Sequence, residues 1–167
     1  RGDVGEIVYR SPMVMKEYWN KPEETSIAFD GGWFHSGDLV REDEDGYFYV
    51  VDRKKDMIIS GGENIYCAEV EDVLAAHPKV GEVALIGVPD TKYGEAPVAV
   101  IAPRDPADPP TAEELSGWCR EKLARYKNPR EYSIVGALPR NPSGKVLKTA
   151  LRQEHSAGSF PPIMKFR

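Results

Sequence analysis

Apolar residues in the first fifty positions come in short runs broken by turn residues. Glu6–Arg10 reads as one apolar-rich strand. Pro22-Glu-Glu-Thr-Ser-Ile-Ala-Phe29 can form a short helix, because proline is tolerated in a first turn. Gly31-Gly32 predicts a turn. Asp38–Arg41 and Tyr47–Val51 predict two strands, joined by the acidic, glycine-ended loop Glu42-Asp-Glu-Asp-Gly46. Residues 1–52 therefore read as mostly strand and turn.

The pattern then changes. Asp52-Arg-Lys-Lys-Asp56 is a charge cluster between apolar runs, which cannot be core and marks a domain boundary. Met57–Ser60 predicts a strand, Gly61-Gly62-Glu63-Asn64 a turn, and Ala68–His77 a helix with Val70, Val73 and Leu74 on one face. Pro78 ends that helix, since the residue before a proline is pushed out of the helical region. Strands over Glu82–Val88 and Ala96–Ala102 follow, then a break at Pro103, Pro106, Pro109 and Pro110. Thr111-Ala-Glu-Glu114 is a capping box. It opens a helix with Leu115, Trp118, Cys119, Leu123 and Tyr126 along one stripe. A strand over Tyr132–Val135, a loop and a helix over Val146–Gln153 complete an α+β domain. Ser156–Arg167, with Gly158, Pro161 and Pro162, reads as a loose tail.

Charge and composition remove several function classes. Among 167 residues, 22 Lys and Arg against 27 Asp and Glu leave a formal charge of −5. That argues against a general nucleic-acid binder, which neutralises phosphates with a basic surface. No apolar run approaches the roughly 20 residues of a membrane-spanning helix. With only Cys67 and Cys119 there is no disulfide scaffold, and a reducing cytoplasm is the expected location. His35, His77 and His155 have no ligand-like spacing with either cysteine, so no metal site is expected. Cys119 lies on the apolar stripe and reads as a core thiol. The chain opens without Met on a turn-rich run, and is expected to be part of a longer polypeptide. Phe160, Ile163, Met164 and Phe166 beside Lys165 and Arg167 suggest membrane contact that is at most peripheral, because the adjacent prolines forbid an amphipathic helix there.

Three segments offer chemistry. In Gly32-Trp-Phe-His-Ser-Gly-Asp38, the carboxylate at the loop end suits a vicinal diol such as a ribose; for the segment alone a turn-stabilising aspartate is the preferred reading. In Asp52-Arg-Lys-Lys-Asp-Met-Ile-Ile-Ser-Gly-Gly-Glu-Asn64, Arg53 can bridge a phosphate or ribose oxygen, and Gly61-Gly62 lets a ligand approach the backbone. A solvated linker and a hairpin turn are the plain alternative. In Leu138-Pro-Arg-Asn-Pro-Ser-Gly-Lys145, the lysine is not a phosphate-loop lysine, since Pro139 and Val146 break that pattern. It is either a mobile cation that meets an anion or a surface lysine.

Taken in order, these segments with Gly5-Glu-Ile-Val, Asp45-Gly-Tyr-Phe-Tyr-Val-Val-Asp-Arg53, Ala68-Glu-Val-Glu71, Gly87-Val-Pro-Asp90 and Tyr93-Gly-Glu95 resemble the C-terminal part of the adenylate-forming superfamily. The acyl-CoA synthetases, and fatty-acid–CoA ligases among them, are the nearest likeness, over about residues 1–153. The resemblance implies a two-step reaction. ATP and a carboxylic acid give an acyl-adenylate and pyrophosphate; coenzyme A then displaces AMP. It also implies that residues 1–52 end a large N-terminal domain. Residues 53–155 would form a small mobile C-terminal domain with a short mixed sheet and about three helices, and 156–167 the tail.

By the same resemblance, Asp38 binds the ribose hydroxyls of ATP or AMP and Arg53 contacts the nucleotide. Lys55 sits at the hinge. Gly61 and Gly62 line the pantetheine tunnel, and Lys145 is the catalytic lysine of adenylation. Magnesium is expected on the N-terminal domain, with the phosphate loop and the acyl pocket, so the chain alone is expected to be inactive. The implied partners are that domain and a carboxylic acid, most simply a fatty acid. An aryl-acid–CoA ligase or peptide-synthetase adenylation domain stays open, as does a non-catalytic binding module reusing the fold.

Overall fold

The computed structural model describes residues 2–160 and 162–165. Two compact units make up the chain, Arg1–Lys55 and Asp56–Arg167. The division falls slightly after the expected boundary. A strand runs through Arg53, and the Lys54 N–H still bonds the Gly37 carbonyl at 2.8 Å, so the charge cluster as far as Lys55 stays with the first unit and only Asp56 falls in the second.

The first unit is an antiparallel sheet in the order β1 (Val4–Tyr9), β2 (Phe34–Glu42), β3 (Phe48–Arg53). The short helix expected from Pro22 is α1 (Pro22–Ala28), with proline in its first turn. β2 begins earlier than expected. The Phe34–Gly37 stretch read as loop pairs with β1, Tyr9 opposite Phe34 and Val8 opposite His35. The acidic hairpin loop forms as expected. Asp43 Oδ1 accepts from the Asp45 and Tyr47 amides, and Gly46 takes a φ of 88°. Leu39 and Val40 are buried, while Tyr47, Phe48, Tyr49 and Val50 are exposed.

In the second unit, a hairpin of β4 (Ile58–Ser60) and β5 (Glu63–Ile65) leads into α2 (Cys67–Ala75). A long hairpin of β6 (Val80–Asp90) and β7 (Gly94–Pro103) forms the middle of a mixed sheet. β8 (Glu131–Ile134) runs parallel to β7. Both faces of β6 and β7 are covered, which is why they read as continuous apolar runs. Leu85, Ala99 and Ile101 face a core with Ile65, Val70, Leu74 and Leu115. Their neighbours Ala84, Ile86, Val98 and Val100 point the other way, onto Leu138, Leu151 and Phe160.

α3 (Ala112–Lys122) carries both hydrogen bonds of the Thr111–Glu114 capping box. It is shorter than its apolar stripe. Leu123 is extended but buried, and Tyr126 lies in a separate 3-10 turn, 43% exposed. Helical spacing alone could not separate a last turn from an extended residue that packs on the same core. α4 (Lys148–Ser156) starts two residues late, because Val146 bridges Arg140 and the Leu147 N–H bonds the Pro139 carbonyl.

The tail is not loose where it is described. Phe160 is buried, the Ile163 N–H reaches the Tyr132 carbonyl at 2.8 Å, and β9 (Met164–Lys165) pairs with β8. Two residues are too short a strand to show an alternating pattern. Phe160 therefore faces the core rather than a membrane; Phe166 and Arg167 lie outside the described residues. No described helix is long and apolar enough to cross a membrane.

Candidate functional site

Strand register brings two of the expected nucleotide residues together. Asp38 on β2 stands opposite Arg53 at the end of β3. Arg53 Nε meets Asp38 Oδ1 at 2.8 Å, with side chains 49% and 35% exposed. Around them the turn is held from behind: Ser36 Oγ donates to the Ile7 carbonyl and accepts from the Asp38 amide. Gly37 has a φ of +75°, a conformation that favours glycine, and a Cβ there would lie 3.4 Å from Arg53 Nη2. The pair thus sits on a fixed, solvent-facing ledge where both groups remain accessible.

Glu6 anchors that ledge, a role the sequence did not reveal. Its carboxylate accepts from the Gly37 amide at 3.0 Å and pairs with His35 Nδ1 at 3.0 Å and Lys54 Nζ at 2.8 Å. The His35 and Lys54 hydrogen bonds lower its pKa from 4.5 to about 2. A depressed carboxylate contributes stability above its unfolded value and loses it as pH falls through the folded one. Glu6 should therefore contribute about 2 kcal/mol at neutral pH, discounting for its partly solvated partners. The stability gap between wild type and Glu6→Gln, followed by thermal melting, should close as pH drops from about 4.5 to about 2.

Lys55, the expected hinge residue, is exposed in a turn and ends the first unit. Gly61 and Gly62 form the two-residue turn between β4 and β5. Their φ values of 62° and 86° are what a tight hairpin of this kind demands. The Gly61 N–H bonds the Tyr93 carbonyl at 2.8 Å, and a Cβ on Gly61 would come 3.1 Å from the Tyr93 ring. Gly62 opens to empty space.

Lys145 closes a small, ordered hairpin loop. Asn141 Oδ1 accepts from the Ser143 and Lys145 amides, and the Asn141 N–H bonds the Lys145 carbonyl at 2.9 Å. Arg140 braces the loop on the Gly144 carbonyl and on Glu82 at 2.7 Å. The Lys145 side chain is exposed, and its ammonium has no partner among the described residues. The backbone is held while the cation is left available.

A further feature escaped the sequence reading. A hollow of about 900 Å³ is lined by Arg120, Arg125, Arg130, Tyr93 and Tyr126. Arg130 lies 3.8 Å over the Tyr93 ring, and Lys92 lies 4.9 Å over it. Lys92, then Arg130, hold the Tyr93 hydroxyl below its ordinary pKa. These cations are scattered from position 92 to 130, so only folding concentrates them against a negative overall charge. Cys119 is fully buried nearby, and burial raises its thiol pKa, as expected of a core thiol.

Residues 69–145 match the AMP-binding enzyme C-terminal domain. The chain carries this domain. It is 49% identical over 153 residues to a long-chain-fatty-acid–CoA ligase of Mycobacterium tuberculosis, covering 92% of the chain and 30% of that protein. It is 51% identical over 152 residues to a feruloyl-CoA synthase of an Amycolatopsis species, covering 91% of the chain and 31% of that protein. Its fold matches the o-succinylbenzoate–CoA synthetase of Bacillus subtilis in complex with an acyl-adenylate intermediate. The TM-score is 0.81 at 44% identity, over 90% of this chain and 30% of that one. The chain thus spans about 30% of the length of the curated relatives it matches.

Within the AMP-binding C-terminal domain, Lys145 is the last matched residue, and the arginine-lined hollow lies wholly inside the matched span. Asp38, Arg53, Lys55, Gly61 and Gly62 precede it. Among the described residues, no group of three or more His, Cys, Asp or Glu is placed to hold a metal ion.

Proposed function

We propose that this chain forms the C-terminal part of an AMP-forming acid–CoA ligase. Its parent polypeptide first makes an acyl-adenylate and then a thioester. The observation that supports this most is the exposed Lys145 ammonium, without a partner among the described residues, on a hydrogen-bonded hairpin inside an AMP-binding C-terminal domain. Such a lysine is of no use to folding. A non-catalytic module has no reason to combine it with the Asp38–Arg53 ledge.

In the first step a carboxylate oxygen attacks the α-phosphorus of ATP and pyrophosphate leaves. Lys145 neutralises the charge that gathers on the phosphorane oxygens, and a fixed cation at such a point lowers the barrier. Asp38 accepts hydrogen bonds from the ribose diol, and Arg53 orients the nucleotide by charge-assisted contacts. Lys55 then marks the hinge about which the second unit turns, withdrawing Lys145 and presenting Gly61 and Gly62. In the second step the coenzyme A sulfur attacks the acyl carbonyl and AMP leaves as the anion. The Gly61-Gly62 turn leaves room for the pantetheine arm, and the arginine hollow beside it holds the phosphates at the far end of coenzyme A. The chain by itself is expected to complete neither step.

A fatty acid is the first substrate to test, in a cytoplasmic enzyme whose membrane contact is at most peripheral. The 51% identity to a feruloyl-CoA synthase supports an aryl acid as the second reading. Thioester formation by the parent polypeptide, measured over fatty and aryl acids, separates the two. No AMP release with any acid would reject the ligase assignment. In the same assay Arg130→Ala should raise KM for coenzyme A about tenfold, the worth of one charge-assisted contact of roughly 1.5 kcal/mol, with kcat for adenylation unaltered. An unchanged KM would remove the hollow from the binding path.

A further inference from the structure

Lys148 is the first residue of α4 and lies three positions after Lys145. Unlike Lys145 it is turned inward, its side chain 16% exposed. Its Nζ meets Glu71 Oε1 of α2 at 2.8 Å, and the same oxygen accepts from the Leu85 N–H of β6 at 2.7 Å. One carboxylate oxygen therefore joins α4, α2 and β6. One turn further along α4, Arg152 Nη2 lies 3.7 Å from Asp56 Oδ1. Asp56 opens the second unit and directly follows Lys55. The Asp56 carbonyl in turn accepts from Cys67 Sγ at 2.9 Å. Burial pulls the Lys148 ammonium down, but Cys67, Glu71 and Asp56 outweigh it and hold its pKa above the ordinary lysine value.

We infer that Lys148, through Glu71, is a positioning residue for Lys145: the half-buried ion pair fixes the start of α4 and with it the exit of the Lys145 hairpin. The Arg152–Asp56 contact ties the same helix to the start of the unit, so the hairpin and the junction move as one body. The Arg140–Val146 bridge and the Leu147 N–H bond to the Pro139 carbonyl close the hairpin on itself, and Val146 packs against the second core. Leu147 is non-helical and 38% exposed, so the step from the closed hairpin into α4 is left to the ion pair. A misplacement of about 1 Å at a reacting centre can cost roughly 10² in rate. The inference rests on the adenylation role proposed for Lys145.

The test uses the full parent polypeptide with Lys148→Met, Lys145→Ala and the double variant. ATP–pyrophosphate exchange and thioester formation from supplied acyl-adenylate are measured separately. Lys148→Met should lower exchange about tenfold or more, with KM for ATP little changed and thioester formation within twofold. The double variant should be no worse than Lys145→Ala, and Lys148→Arg should restore most of the exchange. An equal fall in both half-reactions would show a merely structural pair and overturn the inference. So would no fall in exchange, or losses that multiply in the double variant. Should Lys148→Met not fold, Lys148→Gln combined with Glu71→Gln leaves no unpaired buried charge and is read by the same criteria. If Lys145→Ala itself leaves exchange intact, the assigned role of Lys145 fails. If only Lys148 proves dispensable, the positioning role alone fails.

Discussion

Lys145→Ala in the parent polypeptide should lower ATP–pyrophosphate exchange about 10²- to 10³-fold, the cost of removing one preorganised oxyanion donor. Thioester formation from supplied acyl-adenylate plus coenzyme A should survive, because the phosphorane is not formed in that step. Stability should change by no more than about 0.5 kcal/mol, as for other surface substitutions away from special features. The side chain is exposed, and only its backbone is engaged, by Asn141. Single-turnover assays of each half-reaction, with a melting curve, check all three expectations. Loss of both half-reactions would point to a folding defect; survival of both would make Lys145 an ordinary surface lysine.

Gly62→Leu should have the opposite signature. Adenylation should persist and thioester formation should fall about 10²-fold, a loss of the size that blocked approach to a reacting centre produces. A Cβ at Gly62 meets nothing within 4 Å in this chain, so a side chain can leave the backbone there without a clash at its first atom. The φ of 86° adds about 1–2 kcal/mol of backbone strain to any L-residue. Gly62→Ala therefore serves as the control, carrying the strain without the bulk. Equal loss in the alanine and leucine variants would assign the effect to strain and remove Gly62 from the pantetheine path. Gly61 is less suited to this test, because a Cβ there already crowds Tyr93 at 3.1 Å.

Much of the fold could be read along the chain because the informative signals are local. The capping box at Thr111 and Glu114 is a four-residue device, and both its hydrogen bonds form. The glycine pair at 61 and 62 demanded a turn, and the buried runs on either side of Asp90–Gly94 demanded strands. Boundaries failed where distant residues decided them. β2 begins at Phe34 because β1 pairs with it, and α4 waits until Lys148 because Arg140 bridges Val146. Phe160 turned inward because the second core had a place for it beside Leu138 and Leu151.

The candidate site divides the same way. Asp38, Arg53, Lys55, Gly61, Gly62 and Lys145 are singled out by the resemblance that the ordered set of short segments bears to the adenylate-forming superfamily, since each segment taken alone also has a plain structural reading. Residue order by itself established the α+β class, through the alternation of apolar runs, caps and prolines. The tertiary structure decided the rest. Asp38 and Arg53 meet only through strand register. The Glu6 anchor needs Glu6, His35 and Lys54 from three places in the chain. The arginine hollow and the Lys148–Glu71 pair likewise join residues far apart in sequence. Electrostatic and packing energies act through space over a few ångströms, so charges separated by tens of residues leave no local pattern until the chain has folded.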